Sequence, residues 1–451
     1  MQKIIVDFSK PSSRIKPMHA INNGPIPGSS VRGTGNASLF SDACIPYVRN
    51  HDASFCAAYG GEHTVDVENI FPDFSADEND PASYDFTLTD WYSQGINDAG
   101  AAVFYRLGSK IEHEPKKYHT RVPKDYAKYA RVCEHIIRHL CYGWADGLHL
   151  DIPYWEIWNE ADNHETNGNN DCWQGTREEF LDFFCVMSRH LKACFPELKI
   201  GGPAFAYCDQ AHEADVAEFL AGLQARNIPM DFFSFHRYST DVKDYLDDTQ
   251  RVRALLNRYG YQNTEMILNE WNYVCGWVGR QWLESLQIEH NEKGMAFVAA
   301  TILACQKSPL DMLMYYDARV GCTMNGLFDA ISGTPLPPYY ALWQFGQLYR
   351  LKHQVFSETQ SDTLYVGAAQ NGGEAAVQLT YYDDQPLPDE PVEICLRGLS
   401  VRTEVTCLLA DQQHANIPIR KDVFASGEGS IFLTMRQYSS LLLQLKPAAE
   451  G

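Results

Sequence analysis

Tyr154-Trp155-Glu156-Ile157-Trp158-Asn159-Glu160 is an apolar, aromatic run that ends in Asn-Glu, and Met266-Ile267-Leu268-Asn269-Glu270-Trp271-Asn272 carries the same Asn-Glu pair. Short apolar runs of this kind read as buried strands, and each of these delivers a carboxylate as it leaves the core. Working outward, similar runs stand at residues 19–23, 46–50, 102–107, 199–203, 232–236 and 312–316, which with 154–158 and 266–269 makes eight. Amphipathic helical patterns separate them. Residues 125–142 put Tyr129, Cys133, Ile136, Ile137 and Leu140 on one face. Residues 177–194 do the same with Phe180, Leu181, Phe184, Met187 and Leu191, behind a capping box of Thr176 and Glu179. Strand–helix alternation repeated eight times predicts an α/β fold, a closed (β/α)8 (TIM) barrel of parallel strands over residues 12–350.

Loop lengths give this barrel a working end. Helix-to-strand connections are short (195–198, 227–231, 307–311), whereas strand-to-helix connections are long (52–86, 160–176, 270–290). In a barrel the long set gathers at the C-terminal face, where active sites are built. After Tyr349 the pattern changes to strands at 363–369, 375–382, 392–396 and 404–409, then 430–445, which is long enough for a hairpin. Gly, Pro and Asp turns between them predict a β-sandwich over residues 351–451, to which residues 1–11 can add a strand at 3–8.

Composition narrows the partners. The 451 residues are 45% hydrophobic and 21% charged, the balance of a globular chain with a large core. A formal net charge of −21 repels phosphate backbones, so no nucleic-acid partner is expected. No apolar run is long enough to span a membrane, and the opening MQKIIVDFSK lacks the pattern of a signal peptide. The thirteen cysteines are scattered, without a Cys-x-x-Cys pair. A reduced, cytoplasmic protein is the resulting expectation. There is no glycine-rich nucleotide loop and no Gly-x-Ser-x-Gly, so no cofactor is expected. Glu112-His113-Glu114 offers ligand-type side chains, but adjacent residues rarely face one ion, so no metal is expected either.

Glu160 and Glu270 close the fourth and seventh strands, whose ends can face each other across the barrel mouth. Glycosidic cleavage needs such a pair, one carboxylic acid to protonate the leaving oxygen and one carboxylate to attack the anomeric carbon. Trp155, Trp158, Trp271, Trp277 and Trp282 cluster nearby, as expected where sugar rings stack, and Trp271 and Trp277 are taken as substrate-binding. Asn159 is suited to bond the sugar 2-hydroxyl, a contact that strengthens in the transition state. His236 and Tyr238 share one side of their strand, with Tyr238 within reach of Glu270.

In these segments the chain resembles the 4/7 superfamily of glycoside hydrolases, clan A, and within it glycoside hydrolase family 39, which holds β-xylosidases and α-L-iduronidases. Trp158-Asn159-Glu160 is similar to the family's acid/base motif, and Glu270 in Asn-Glu-Trp-Asn stands at its nucleophile position. Val48-Arg49-Asn50-His51 resembles the strand-two Arg-x-His, which implies Arg49 beside the nucleophile and His51 on the sugar. Ser234-Phe235-His236-Arg237-Tyr238 resembles the strand-six Ser-Phe-His-x-Tyr. The chain departs from the family in Ala161-Asp162 after the acid/base, in Asn269 before the nucleophile and in Met314-Tyr315-Tyr316-Asp317 on strand eight.

The expectation is therefore a retaining glycosidase acting on a terminal bond of an oligosaccharide or small glycoside, β-xylosidase-like. Alternatives are the same mechanism on a uronide, galactoside or arabinoside, or a carbohydrate-binding barrel without turnover. Arg237, Arg280, Arg319 and Lys110 are the candidate carboxylate binders for a uronide.

Overall fold

The computed structural model describes residues 1–26, 35–52, 64–113, 115–163 and 170–448. The chain begins with β1 (Gln2–Arg14) and then enters the barrel through β2 (Ala20–Asn22), β3 (Tyr47–Arg49), β4 (Ala102–Leu107) and β5 (Tyr154–Ile157). It continues through β6 (Lys199–Phe205), β7 (Phe232–Tyr238), β8 (Glu265–Asn272) and β9 (Met312–Tyr315). These eight parallel strands pair in sequence order and close where β2 meets β9, Ala20 opposite Met314. Inside, Ala20, Phe104, Tyr154, Phe232, Ile267, Met312 and Met314 form a buried apolar plug. Outward-facing residues of the same strands join the larger core beneath the helices.

The helices follow from their sequence. Arg177–Cys194 starts on the reciprocal Thr176–Glu179 capping box and buries Phe180, Phe183, Phe184, Met187 and Leu191 against the barrel. Each such side chain contributes roughly 1.5–3 kcal/mol on leaving water. Tyr126–Tyr142 stops at Gly143, whose φ of 74° supplies the left-handed cap that a β-carbon would oppose.

The remaining strands are β10 (His353–Thr359), β11 (Leu364–Asn371), β12 (Glu374–Tyr381), β13 (Glu390–Leu399), β14 (Thr403–Ala410), β15 (Ile417–Phe424), β16 (Gly427–Met435) and β17 (Ser439–Pro447). They form one nine-stranded sheet in the order β15-β14-β17-β12-β11-β10-β1-β13-β16, folded as a sandwich over a single core of inward Val, Ile and Leu. β1 lies antiparallel to β10 and parallel to β13. The stretch expected as one hairpin instead holds β16 and β17, which part at Arg436-Gln437-Tyr438 and pair with different neighbours, β13 for one and β12 with β14 for the other. The sandwich also braces the barrel mouth. Asp384 accepts a hydrogen bond from Tyr273 at 2.7 Å and pairs with Lys293 at 2.8 Å, next to the end of β8. Among the described residues no helix is long and apolar enough to cross a membrane.

Candidate active site

Both Asn-Glu pairs owe their aim to breaks in regular strand geometry. On β5, Tyr154 and Glu156 point inward while Trp155 and Ile157 point into the outer core. The alternation then breaks, because Trp158 (φ 72°) and Glu160 (φ 48°) take the left-handed region that non-glycine residues rarely adopt. Two backbone bonds hold the turn, from Trp158 N–H to Leu107 O at 2.7 Å and from Glu160 N–H to Ala204 O at 2.9 Å. The Trp158 ring swings onto Trp173 and Phe183, and Asn159 and Glu160 reach the barrel mouth.

On β8 the device is a bulge. Phe235 pairs with Leu268 but His236 pairs with Glu270, so one extra residue is inserted on β8. Asn269 and Glu270 consequently both face inward, where strict alternation would have sent Glu270 outward with Leu268.

A single guanidinium organises what these turns bring together. Fully buried Arg49, from the end of β3, donates through Nε to Glu156 at 2.7 Å, through Nη1 to Glu270 at 2.6 Å and through Nη2 to Asn159 Oδ1 at 2.6 Å. The second oxygen of Glu156 accepts from Ser234 at 2.6 Å and Asn269 at 2.5 Å. Glu270 Oε2 accepts from the Tyr238 hydroxyl at 3.0 Å. His236 lies between the two glutamates, its Nδ1 2.7 Å from Glu160 Oε1 and 3.5 Å from Glu270 Oε2. One oxygen of each carboxylate and a His236 nitrogen all fall within 4.8 Å of one another.

Burial pushes both carboxyls above the ordinary glutamate range. At Glu270 the opposing influences are His236 and Arg49. Burial also holds His236 down at about 4, so near neutral pH Arg49 is the charged group that favours ionised Glu270. At Glu160 the opposition comes first from the Asn163 amide. Asn159 Nδ2 and His236 Nε2 are buried donors or acceptors with no partner among the described residues. Glu160, His236 and Glu270 are ligand-type groups, but the Arg49 cation already on Glu270 opposes a second cation there.

The other expected site residues divide. His51 is buried at the end of β3, with Nδ1 3.3 Å from Arg106 Nε and its ring edge-on to Tyr316. Trp277 stands at the rim, 56% exposed, stacked on Trp282 and edge-on to Tyr238 at 5.0 Å. Trp271 is not in the cleft. It is 0% exposed and packs against Tyr245, Phe297 and Tyr315, because the bulge turns Glu270 inward and its neighbour outward. Trp155 and Trp158 are also core residues, Trp155 because strand alternation on β5 turns it outward and Trp158 because its left-handed backbone swings the ring onto Trp173 and Phe183. Arg237 is bound by Asp244 and Arg319 by Asp52, so neither is a ready carboxylate binder. Glu112 staples its own loop, accepting backbone N–H groups of Tyr118, His119 and Thr120; Glu114 lies outside the described residues.

Sequence reasoning passed over Glu156 and Cys172. For Glu156 the signal was a charged residue two positions after Tyr154, on the inward face of an apolar strand. Cys172, whose thiol lies 3.7 Å from Glu160 Oε2, carried no such signal in a loop of mixed polarity.

A sequence profile for "Glycosyl hydrolases family 39" matches residues 64–281. A beta-xylosidase of Caldicellulosiruptor saccharolyticus is 24% identical over 315 residues, covering 65% of this chain and 62% of that protein. A beta-xylosidase of Geobacillus stearothermophilus is 25% identical over 170 residues, covering 33% of this chain and 32% of that protein. The matched regions thus span less than two thirds of either relative. Among solved structures, a glucosidase from Croceicoccus marinus superposes with a TM-score of 0.83 at 20% identity, covering 100% of this chain and 99% of that one. A monomeric beta-xylosidase from Caulobacter crescentus CB15 gives 0.74 at 17% identity, with both chains covered in full. These structures share the barrel-and-sandwich fold. Residues 64–281, which hold both strand-end glutamates, match glycosyl hydrolases family 39, the family that their motifs resemble.

Proposed function

We propose that the protein is a retaining glycoside hydrolase that removes a terminal sugar from a small glycoside or oligosaccharide, with β-xylosides as the leading substrates. The observation that carries this reading is the oxygen pair of Glu160 and Glu270 within 4.8 Å, with Arg49 on only one of them. A separation of about 5–5.5 Å between the two carboxyl groups serves double displacement, whereas the ~6.5–9.5 Å of inverting enzymes leaves room for a water.

Glu270 attacks the anomeric carbon as the bond to the aglycone breaks, and Glu160 gives its proton to the departing oxygen. Water then attacks the same carbon, passes a proton to Glu160 and frees Glu270. Asn159, fixed through Oδ1 by Arg49, offers the sugar 2-hydroxyl its Nδ2, which has no partner among the described residues. Tyr238 steadies Glu270, His236 bridges the pair and His51 borders the sugar. The stacked Trp277 and Trp282 supply an aromatic face for the next ring. Relatives named as beta-xylosidases support xylose, and the glucosidase superposition puts glucose next. The described cysteines are all free thiols, which suits a cytoplasmic enzyme working on imported glycosides.

A panel of nitrophenyl glycosides (xyloside, glucoside, galactoside, arabinosides, glucuronide), with proton NMR of the first-formed sugar, tests the proposal. Turnover with retained anomeric configuration is expected. Inverted product rejects double displacement, and failure of every sugar to turn over rejects the enzyme.

A further inference from the structure

In the proposed reaction Glu160 is an acid when the aglycone leaves and a base when water attacks, so the groups touching its oxygens set the working pH. Oε1 faces His236. Oε2 accepts from Asn163 Nδ2 at 3.1 Å and from the thiol of Cys172 at 3.7 Å. Cys172 is 2% exposed and its backbone is pinned on both sides. Its N–H donates to Asn170 Oδ1 and its C=O accepts from Trp158 Nε1, each at 2.8 Å. Asn170 Nδ2 in turn donates to the carbonyl of Ala161, the residue after Glu160, at 2.9 Å. The loop therefore fixes the backbone that carries this sulfur beside Glu160 Oε2.

We propose that Cys172 is a positioning residue for Glu160, its S–H donating to Oε2 so that the carboxyl is held in place while the ionised form receives only weak support. This rests on the reading of Glu160 as the acid/base. The thiol suits the task because it is a weak donor on a long bond. A serine hydroxyl on its shorter bond falls outside the ~2.5–3.0 Å that an O–H bond needs. A stronger donor at hydrogen-bond distance would favour the carboxylate and deplete the acid that the first step consumes. Burial already raises the Glu160 carboxyl, and Asn163 and the thiol oppose it. Among the described residues the other titratable groups facing Glu160 are His236 and Tyr238 on β7, Glu270 on β8, Arg49 on β3, Asp162 in its own loop, His113 after β4 and Tyr207 after β6. All of them remain when the thiol is removed.

The test compares pH profiles of kcat/KM for the full chain and Cys172→Ala, on an alkyl glycoside that needs the acid and a dinitrophenyl glycoside that does not. The alkaline limb for the alkyl glycoside should move up by about 0.3–1 pH unit, with the dinitrophenyl profile unmoved. An unmoved limb, or an equal loss on both substrates, overturns the proposal and leaves Cys172 a packing residue. A readout without turnover separates this from the enzyme assignment. Carbon-13 titration of the Glu160 carboxyl, assigned with Glu160→Gln, should show a higher pKa in Cys172→Ala even if no glycoside is cleaved, and an equal pKa overturns the proposal. If Cys172→Ala does not fold, the infrared S–H band of the intact chain should shift in Glu160→Gln, and an unshifted band rejects the contact.

Discussion

Nη1 of Arg49 sits 2.6 Å from Oε1 of Glu270, with both side chains out of solvent. The same guanidinium reaches Glu156, so one cation serves two buried carboxylates. Removing it leaves two buried anions uncompensated, a loss of about 3–5 kcal/mol for a broken buried pair. Arg49→Met should unfold at correspondingly lower denaturant, and Arg49→Lys should recover part of that. Lysine is a point donor that cannot fork to Glu156, Glu270 and Asn159 together, so its kcat should stay at least roughly tenfold down. Without the cation the Glu270 carboxyl rises further, and the acid limb of activity should move to higher pH. Unchanged denaturation midpoints in Arg49→Met would contradict this account.

Two tryptophans only six residues apart, Trp271 and Trp277, should respond in opposite ways to truncation. Trp271→Ala empties a core position among Phe297, Tyr245 and Tyr315 and should lower stability by about 3–5 kcal/mol. Trp277→Ala removes an exposed face stacked on Trp282, so stability should hold. Its KM should rise roughly two- to tenfold, the range of about 0.5–1.5 kcal/mol of aromatic stacking, with kcat little altered. A KM effect from Trp271→Ala with no loss of stability would reverse these placements.

Glu289 is buried and neither of its oxygens has a partner among the described residues. Burial first, and Asp317 second, push its carboxyl well above the ordinary 4.5. A carboxyl with a raised folded pKa costs nothing below the unfolded value and destabilises as pH climbs past it. Glu289→Gln should therefore match the parent near pH 4.5 and gain on it steadily toward pH 8. Thermal midpoints across that range decide the matter; parallel curves would show that the carboxyl is not held protonated.

What could be read in advance follows from which forces are periodic in sequence. The barrel strands were legible because each is an apolar run between amphipathic helices, and β4 begins and ends where the apolar run does. Glu160 and Glu270 were legible as strand-end carboxylates, but their aim was not. It depends on left-handed backbone at Trp158 and Glu160 and on an extra residue in β8, neither of which leaves a periodic trace. The same bulge explains the misplaced Trp271: read without it, a tryptophan beside a cleft glutamate looks like a sugar platform. β15 was missed because Ile417–Phe424 is an edge strand with six of eight residues exposed, so no alternation marks it. The Arg49 network combines residues from four strands or their ends, Asn22 of β2, Arg49 of β3, Glu156 and Asn159 of β5 and Glu270 of β8, and only the fold brings them together.

The separate roles of Glu160 and Glu270 give the sharpest prediction. Arg49 and Tyr238 both bond Glu270 and neither bonds Glu160, which supports the proposed roles of Glu270 as the anion and Glu160 as the acid. Glu270→Ala should fail to form a glycosyl-enzyme on any substrate, however good the leaving group. Glu160→Ala should still take the first step with dinitrophenyl glycosides, whose leaving group needs no proton, and then stall for lack of a base. Adding azide should restore turnover, because a small anion can enter the vacated space and attack without deprotonation. The product should be a glycosyl azide of the substrate's own anomeric configuration, since Glu270 has already inverted the centre once and azide inverts it again. His236 lies 2.7 Å from Glu160 and 3.5 Å from Glu270, so in Glu160→Ala it loses its nearer partner. A retained azide product from Glu270→Ala, with none from Glu160→Ala, would exchange the two roles.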